Sequence, residues 1–270
     1  MKNESVFVFT ILSLLCAAPT GCGEDEGDGV EGTLSLELWG EEFIEEGIPS
    51  AEFADGFSVT YDKFLINLGE ITVATEDGPP AIEEPAAKVW NLVKTGPFPL
   101  ASTTAAAGSY DRTAYTVAPA ASQSAAGNAD PEDLRLMVEE GLSVYASGTA
   151  SDGTVSRSFA WSFDTETVYD PCHSQAILAD GGEASVQITI HGDHLFYDDA
   201  VSSEPSLRFN DIALSDSDDD GEITQTELLD YEITALPNYG VGSLDIDNLW
   251  DFISYMTSTL GHIDGEGHCE

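Results

Sequence analysis

The chain is short of positive charge. Across 270 residues it carries 8 lysines and arginines against 50 aspartates and glutamates, a formal net charge of -42. A field of that sign repels nucleic acid and anionic membrane surfaces and draws cations instead. Sulfur is scarce too, with 4 cysteines and 3 methionines. The sequence has no Cys-x-x-Cys, no His-Glu-x-x-His, no Gly-x-Ser-x-Gly elbow and no glycine-rich phosphate loop. The common signatures of redox, metalloprotease, serine-hydrolase and nucleotide chemistry are therefore missing. Acidic pairs such as Asp198-Asp199 are too frequent in this composition to mark general acid–base work. The expectation is a binding or structural protein and not an enzyme.

What is present argues for a folded, exported chain. Hydrophobic residues make up 42% of the sequence, too many for an acidic disordered tail. Lys2, the apolar run Val6 to Leu15 and the small residues Ala17 and Ala18 have the order of an export signal, and the run is too short to span a bilayer. Thr20-Gly21-Cys22 and the acidic tract behind it resemble the cleavage box of bacterial lipoproteins, with Pro19 as the departure. That resemblance implies lipidation at Cys22, a lipid anchor as the sole membrane contact, and a place in the cell envelope as an outer-membrane lipoprotein or in the periplasm. Ordinary cleavage near Ala18, without lipid, is the other outcome. Cys16 leaves with the signal, and Cys172 and Cys269 remain as an even pair. In an exported protein one disulfide is the economical reading, and two metal-ligating thiols are the alternative.

Residues 33–39 alternate apolar and polar with period two, the mark of a half-buried strand. Similar runs occur over 57–61, 64–68, 71–73, 88–93, 110–117, 142–149, 154–163 and 184–191, with a hairpin expected at Ser151-Asp152-Gly153. Asp130-Pro131 opens a helix that Gly141 stops. Residues 101–107 and 119–129, rich in alanine, serine and glycine, are expected as loops. Many short strands at this spacing predict a mainly β fold, an antiparallel β-sandwich followed by a small helical C-terminal segment. The expected divisions are a signal at 1–21, an acidic linker at 22–32, the sandwich at 33–200, and a C-terminal region at 201–270. In that last region, residues 247–260 carry apolar side chains at the spacing of one helical face.

The most specific stretch is Asp216 to Glu227. Acidic side chains stand at its first, third and fifth places, Asp216, Asp218 and Asp220, with Gly221 at the sixth, Thr224 at the ninth and Glu227 at the twelfth. This order resembles the calcium loop of EF-hand proteins. A hard cation takes six to eight oxygens, so alternate carboxylates on a tight turn point inward. The resemblance implies calcium held by Asp216, Asp218, Asp220, Thr224, Glu227 and the carbonyl of Glu222. Thr224 with Glu227 also forms a capping box. Asp245-Ile246-Asp247 begins like a second loop, but Trp250 stands where the glycine belongs. One site favours a structural role for calcium.

The 5 histidines are His173, His191, His194, His262 and His268. His191-Gly192-Asp193-His194 and Gly261-His262-Ile263-Asp264-Gly265 are glycine-flanked loops in which side chains are free to converge, and two histidines adjoin the cysteines. Zinc and copper take imidazole and carboxylate ligands, so a transition-metal site is the second expectation. An exported β-rich chain with such histidines resembles, at a distance, bacterial periplasmic copper-binding proteins, although no motif carries that likeness.

Overall fold

The structure is a computed structural model in which residues 30–265, 267 and 269 are described. The expected export signal, Cys22 and His268 lie outside the described residues. Strand β1 (Gly32–Trp39) leads into helix α1 (Glu41–Glu45). Strands β2 (Ser58–Ala74), β3 (Ile82–Glu84), β4 (Lys88–Asn91), β5 (Phe98–Ala105), β6 (Gly108–Val117) and β7 (Ala125–Ala126) follow. Helix α2 (Pro131–Glu140) precedes β8 (Val144–Ser151), β9 (Ser156–Phe163), β10 (Thr167–Leu178) and β11 (Glu183–Ile190). A 3-10 turn occupies Gly192–Phe196. The C-terminal part holds α3 (Asn210–Leu214), β12 (Glu222–Ile223), α4 (Gln225–Leu229), α5 (Leu249–Met256) and β13 (Gly261–Ile263).

The strands form a four-stranded sheet, β13-β11-β1-β5, and a nine-stranded sheet along β10-β6-β2-β8-β9-β12, with β3, β4 and β7 attached beside it. The architecture is mainly β and sandwich-like, as expected, and it is not a closed barrel. The sheets are mixed, not purely antiparallel. β1 runs parallel to β11, pairing Leu34 with Ala184 and Leu38 with Ile188. Parallel neighbours need a long crossover, and here every strand of the second sheet except β12 is built between them.

The alternation in β1 has the expected result: Leu34, Leu36 and Leu38 are fully buried while Ser35 and Glu37 are not. They belong to one core with Val186 and Ile188 of β11, Phe64 and Ile66 of β2, and Trp161 of β9. β2 breaks the pattern, because Phe64 through Gly69 is a continuous buried run. Its second face is covered by α2, where Leu65 and Val89 meet Met137 and Leu142. That helix has the expected ends, Pro131 at its start and Gly141 in the left-handed conformation (φ 65°) at its stop. Residues 101–105, expected as loop, belong to β5 and pair with β1. Alanine, serine and threonine there are small and weakly patterned, and the ladder to β1 overrides them.

The C-terminal segment is built into both sheets, since β12 pairs with β9 and β13 with β11. Cys172 on β10 and Cys269 stand at disulfide distance, as expected, with Cα atoms 4.0 Å apart and a sequence separation of 97. Asp264 adds a polar tie across the sheets: its carboxylate accepts from the amide of Gln187 on β11 (2.9 Å) and that of Gln175 on β10 (3.0 Å). A loop of this length gives the disulfide about 4–5 kcal/mol in the chain-entropy treatment. Replacing both Cys172 and Cys269 by alanine should lower the urea midpoint accordingly. A variant as stable as the parent would contradict the tie.

Candidate functional site

Three of the predicted histidines meet where β11, the turn at 192–196 and β13 come together. The ring centres of His191 and His262 are 4.4 Å apart, those of His194 and His262 5.2 Å, and those of His191 and His194 5.3 Å. Asp193 joins them. The potential ligand atoms of His191, Asp193 and His194 lie within 4.8 Å of one another, and all three residues are buried. The local sequence explains the arrangement. β11 ends at Ile190, and the tight 3-10 turn at Gly192–Phe196 that follows brings the ligand atoms of residues 191, 193 and 194 together. Leu195 and Phe196 go into the core beside Trp161, which anchors the turn.

His262 arrives on a braced segment. Tyr115 and Tyr169 stack with ring centres 4.6 Å apart. The hydroxyl of Tyr115 donates to the carbonyl of His262 (3.2 Å), and that of Tyr169 donates to the carbonyl of Ser258 (3.2 Å) while accepting from the amide of Gly261 (3.1 Å). Glycine is required at 261 because a Cβ would collide with the Tyr115 hydroxyl.

The ring of His194 has a defined tautomer. Its Nδ1 is 3.0 Å from the hydroxyl of Thr259, and that hydroxyl donates its one proton to the carbonyl of Met256 at 2.9 Å. Nδ1 must therefore carry a hydrogen and donate it, leaving the lone pair on Nε2. Burial, and then the neighbouring rings of His191 and His262, push the His194 pKa down to about 3. At neutral pH the ring is an uncharged electron-pair donor. Asp193 supplies a carboxylate; burial, and then that carboxylate, keep the pKa of the Tyr61 hydroxyl well above its usual range. That hydroxyl instead donates to the carbonyl of Gly192 at 2.6 Å. Two cavities reach the group, one of about 350 Å³ lined by Asp193 and Tyr197, the other of about 390 Å³ lined by Thr259 and His262. A donor set of imidazole nitrogens and carboxylate oxygens is the kind that borderline divalent ions take.

The sequence reading placed His191, His194 and His262 in one set but did not include Asp193, although it sits inside the quoted His191-to-His194 loop. His173 stands apart: it is exposed on β10, paired with Arg112 of β6.

The acidic loop has its own order. Ligand oxygens of Asp216, Asp218 and Asp220 lie within 4.8 Å of one another, and Gly221 takes the left-handed backbone (φ 88°) that the turn needs. Backbone amides of Gly221, Asp220 and Glu222 donate to Asp216, Asp218 and Asp220 in turn (3.1, 3.2 and 2.8 Å). The capping box forms as expected between Thr224 and Glu227 at the start of α4. Glu227 accepts from Ser217 and Thr224 through both oxygens. Burial raises its pKa, but those hydrogen bonds outweigh it and hold the carboxyl below the ordinary range. Glu227 is not among the three converging carboxylates; it closes the loop from behind. Sequence did not foresee Arg157 of β9, whose Nε lies 2.8 Å from Asp216 and whose Nη2 lies 3.3 Å from Asp219.

No protein-family description, curated protein or solved structure matches this chain.

The neutral imidazole of His194 has a consequence for acid stability. Folded, it takes a proton only near pH 3, whereas an unfolded histidine does so near 6.5. Between those values the unfolded chain binds the extra proton, so stability is lost as pH falls, by about 1.4 kcal/mol per unit. In metal-free protein, His194→Gln should flatten this part of the stability profile. A profile parallel to the parent between about pH 6 and pH 4 would contradict a buried neutral ring.

Proposed function

We propose that this is an exported metal-binding protein of the cell envelope whose principal site is the centre formed by His191, Asp193, His194 and His262, with zinc or copper as its ion. The observation that carries the reading is the convergence of His191, Asp193 and His194, buried and with ligand atoms within 4.8 Å of one another, with the ring of His262 4.4–5.2 Å from those of the two histidines. Histidines so close cannot all be charged, and the buried neutral ring of His194, with its lone pair on Nε2, favours a cation. A binding role accords with the strong net negative charge, which raises the local concentration of cations. Export and lipidation at Cys22 rest on the N-terminal sequence alone.

A second reading, calcium at residues 216–227, also has an observation in its favour. The side chain of Asp216 is fully buried, and its Oδ1 has no hydrogen-bond partner. A cation held with Asp218, Asp220 and the carbonyl of Glu222 would satisfy that oxygen. Arg157 already neutralises part of the loop, so the calcium site would be weak, in the extracellular range of about 10⁻⁴–10⁻³ M. The two ions answer to different variants. In calorimetric titrations, zinc or copper(II) uptake should fall more than about 100-fold in His194→Ala, because ligand loss exceeds the 10–100-fold typical of outer-shell changes. Calcium should raise the melting temperature of the parent but not of Asp218→Ala, which loses one of the three converging carboxylates. At ten times the dissociation constant the gain is about 1.4 kcal/mol. Equal zinc and copper(II) uptake by parent and His194→Ala would overturn the first reading, and melts insensitive to calcium the second.

A further inference from the structure

Arg157 is one of 8 basic residues in a chain with 50 acidic ones, and the fold places it against the acidic loop. β9 carries it there. Ser158 and Phe159, the next residues along, pair with Glu222 and Ile223 of β12, and the Ser158 amide donates to the carbonyl of Gly221 at 2.8 Å. The guanidinium and the loop are thus held on one ladder, with the Arg157 side chain only 20% exposed.

The contact with Asp216 is close but incomplete. Arg157 Nε lies 2.8 Å from Asp216 Oδ2, yet neither that nitrogen nor Asp216 Oδ1 has a hydrogen-bond partner, and both atoms are buried. Oδ2 accepts instead from the amide of Gly221 at 3.1 Å. Arg208 shows the ordinary arrangement, its Nε donating to Asp198 at 2.7 Å. Arg157 therefore meets Asp216 as charge against charge. Two unsatisfied buried polar atoms, one on each side, are costly, so the guanidinium is a stand-in and not a matched partner. The oxygens of Asp216, Asp218 and Asp220 still converge within 4.8 Å of one another. Arg157 reaches Asp216 and Asp219, and Asp219 is not one of those three.

Resting on the calcium reading of residues 216–227 above, we propose that Arg157 sets the affinity of that loop: its guanidinium is the counter-ion of the ion-free carboxylates, and calcium binds against it. Oδ1 of Asp216 is open to the ion while Oδ2 stays beside the guanidinium. Like charges a few ångströms apart oppose each other, so the arginine weakens the site by the work of bringing the ion next to it. The same charge steadies the empty loop, because it stands between Asp216 and Asp219. The loop is thereby kept ordered without an ion and fills only where calcium is plentiful.

The test titrates calcium calorimetrically into the full folded protein, into Arg157→Gln and into Arg157→Lys, with thermal melts in chelator and in calcium. Arg157→Gln removes the charge and should bind calcium on the order of 10-fold more tightly. Its melting temperature should fall in chelator and rise further with calcium than that of the parent. Arg157→Lys keeps the charge and should bind as the parent does. If the parent binds calcium and Arg157→Gln binds it no more tightly, the role of Arg157 is overturned while the calcium reading stands. A lysine variant that gains as much as the glutamine variant overturns it too, by placing the effect in shape and not in charge. If neither the parent nor Arg157→Gln takes up calcium, the calcium reading and the role of Arg157 fall together.

Discussion

The constraint on which this structure turns is electrostatic. Imidazole rings of His191, His194 and His262 crowd to within 4.4–5.3 Å of one another beside the carboxylate of Asp193. Burial weakens the screening by water at His191 and His194, and charge on one ring opposes charge on the next. His194 is neutral, through burial and then the neighbouring rings of His191 and His262, while Thr259 accepts the hydrogen on its Nδ1. The neutral ring of His194 turns a lone pair on Nε2 toward the centre.

Much of the surrounding fold holds this cluster in place. β11 ends at the site, and β13 is the short strand that lies alongside it. The stacked Tyr115–Tyr169 pair, the carboxylate of Asp264 and the Cys172–Cys269 pair all act on the segment that carries Thr259, His262 and Gly265. Gly265 in turn orients His191 through its carbonyl. The acidic loop touches the same core from the other end. Its Ile223 carbonyl accepts from the indole of Trp161 (3.0 Å), and Trp161 packs against Phe196 of the 192–196 turn. Core packing thus runs continuously from the loop to the histidines.

What could be read from the sequence was what local chemistry determines. The alternation of β1, the cap and stop of α2, and the capping box at Thr224 and Glu227 each depend on residues close in the chain, and each has its expected form. The even cysteine pair was legible by elimination. The parallel pairing of β1 with β11 was not, because alternation looks the same in either direction. β5 was hidden by its small residues. At the site, the histidine loops were visible and Asp193 was within them. Arg157 was not, since it reaches the acidic loop only through tertiary packing and no local spacing announces it.

The central claim is that the histidine–aspartate centre holds a borderline divalent ion through nitrogen and oxygen. X-ray absorption at the metal edge of the protein, purified without chelator and loaded with zinc, tests it most directly. The account predicts one ion per chain with first-shell distances of about 2.0–2.1 Å and the outer-shell scattering of at least two imidazoles. A shell of oxygens alone, or sulfur at about 2.3 Å, would contradict it.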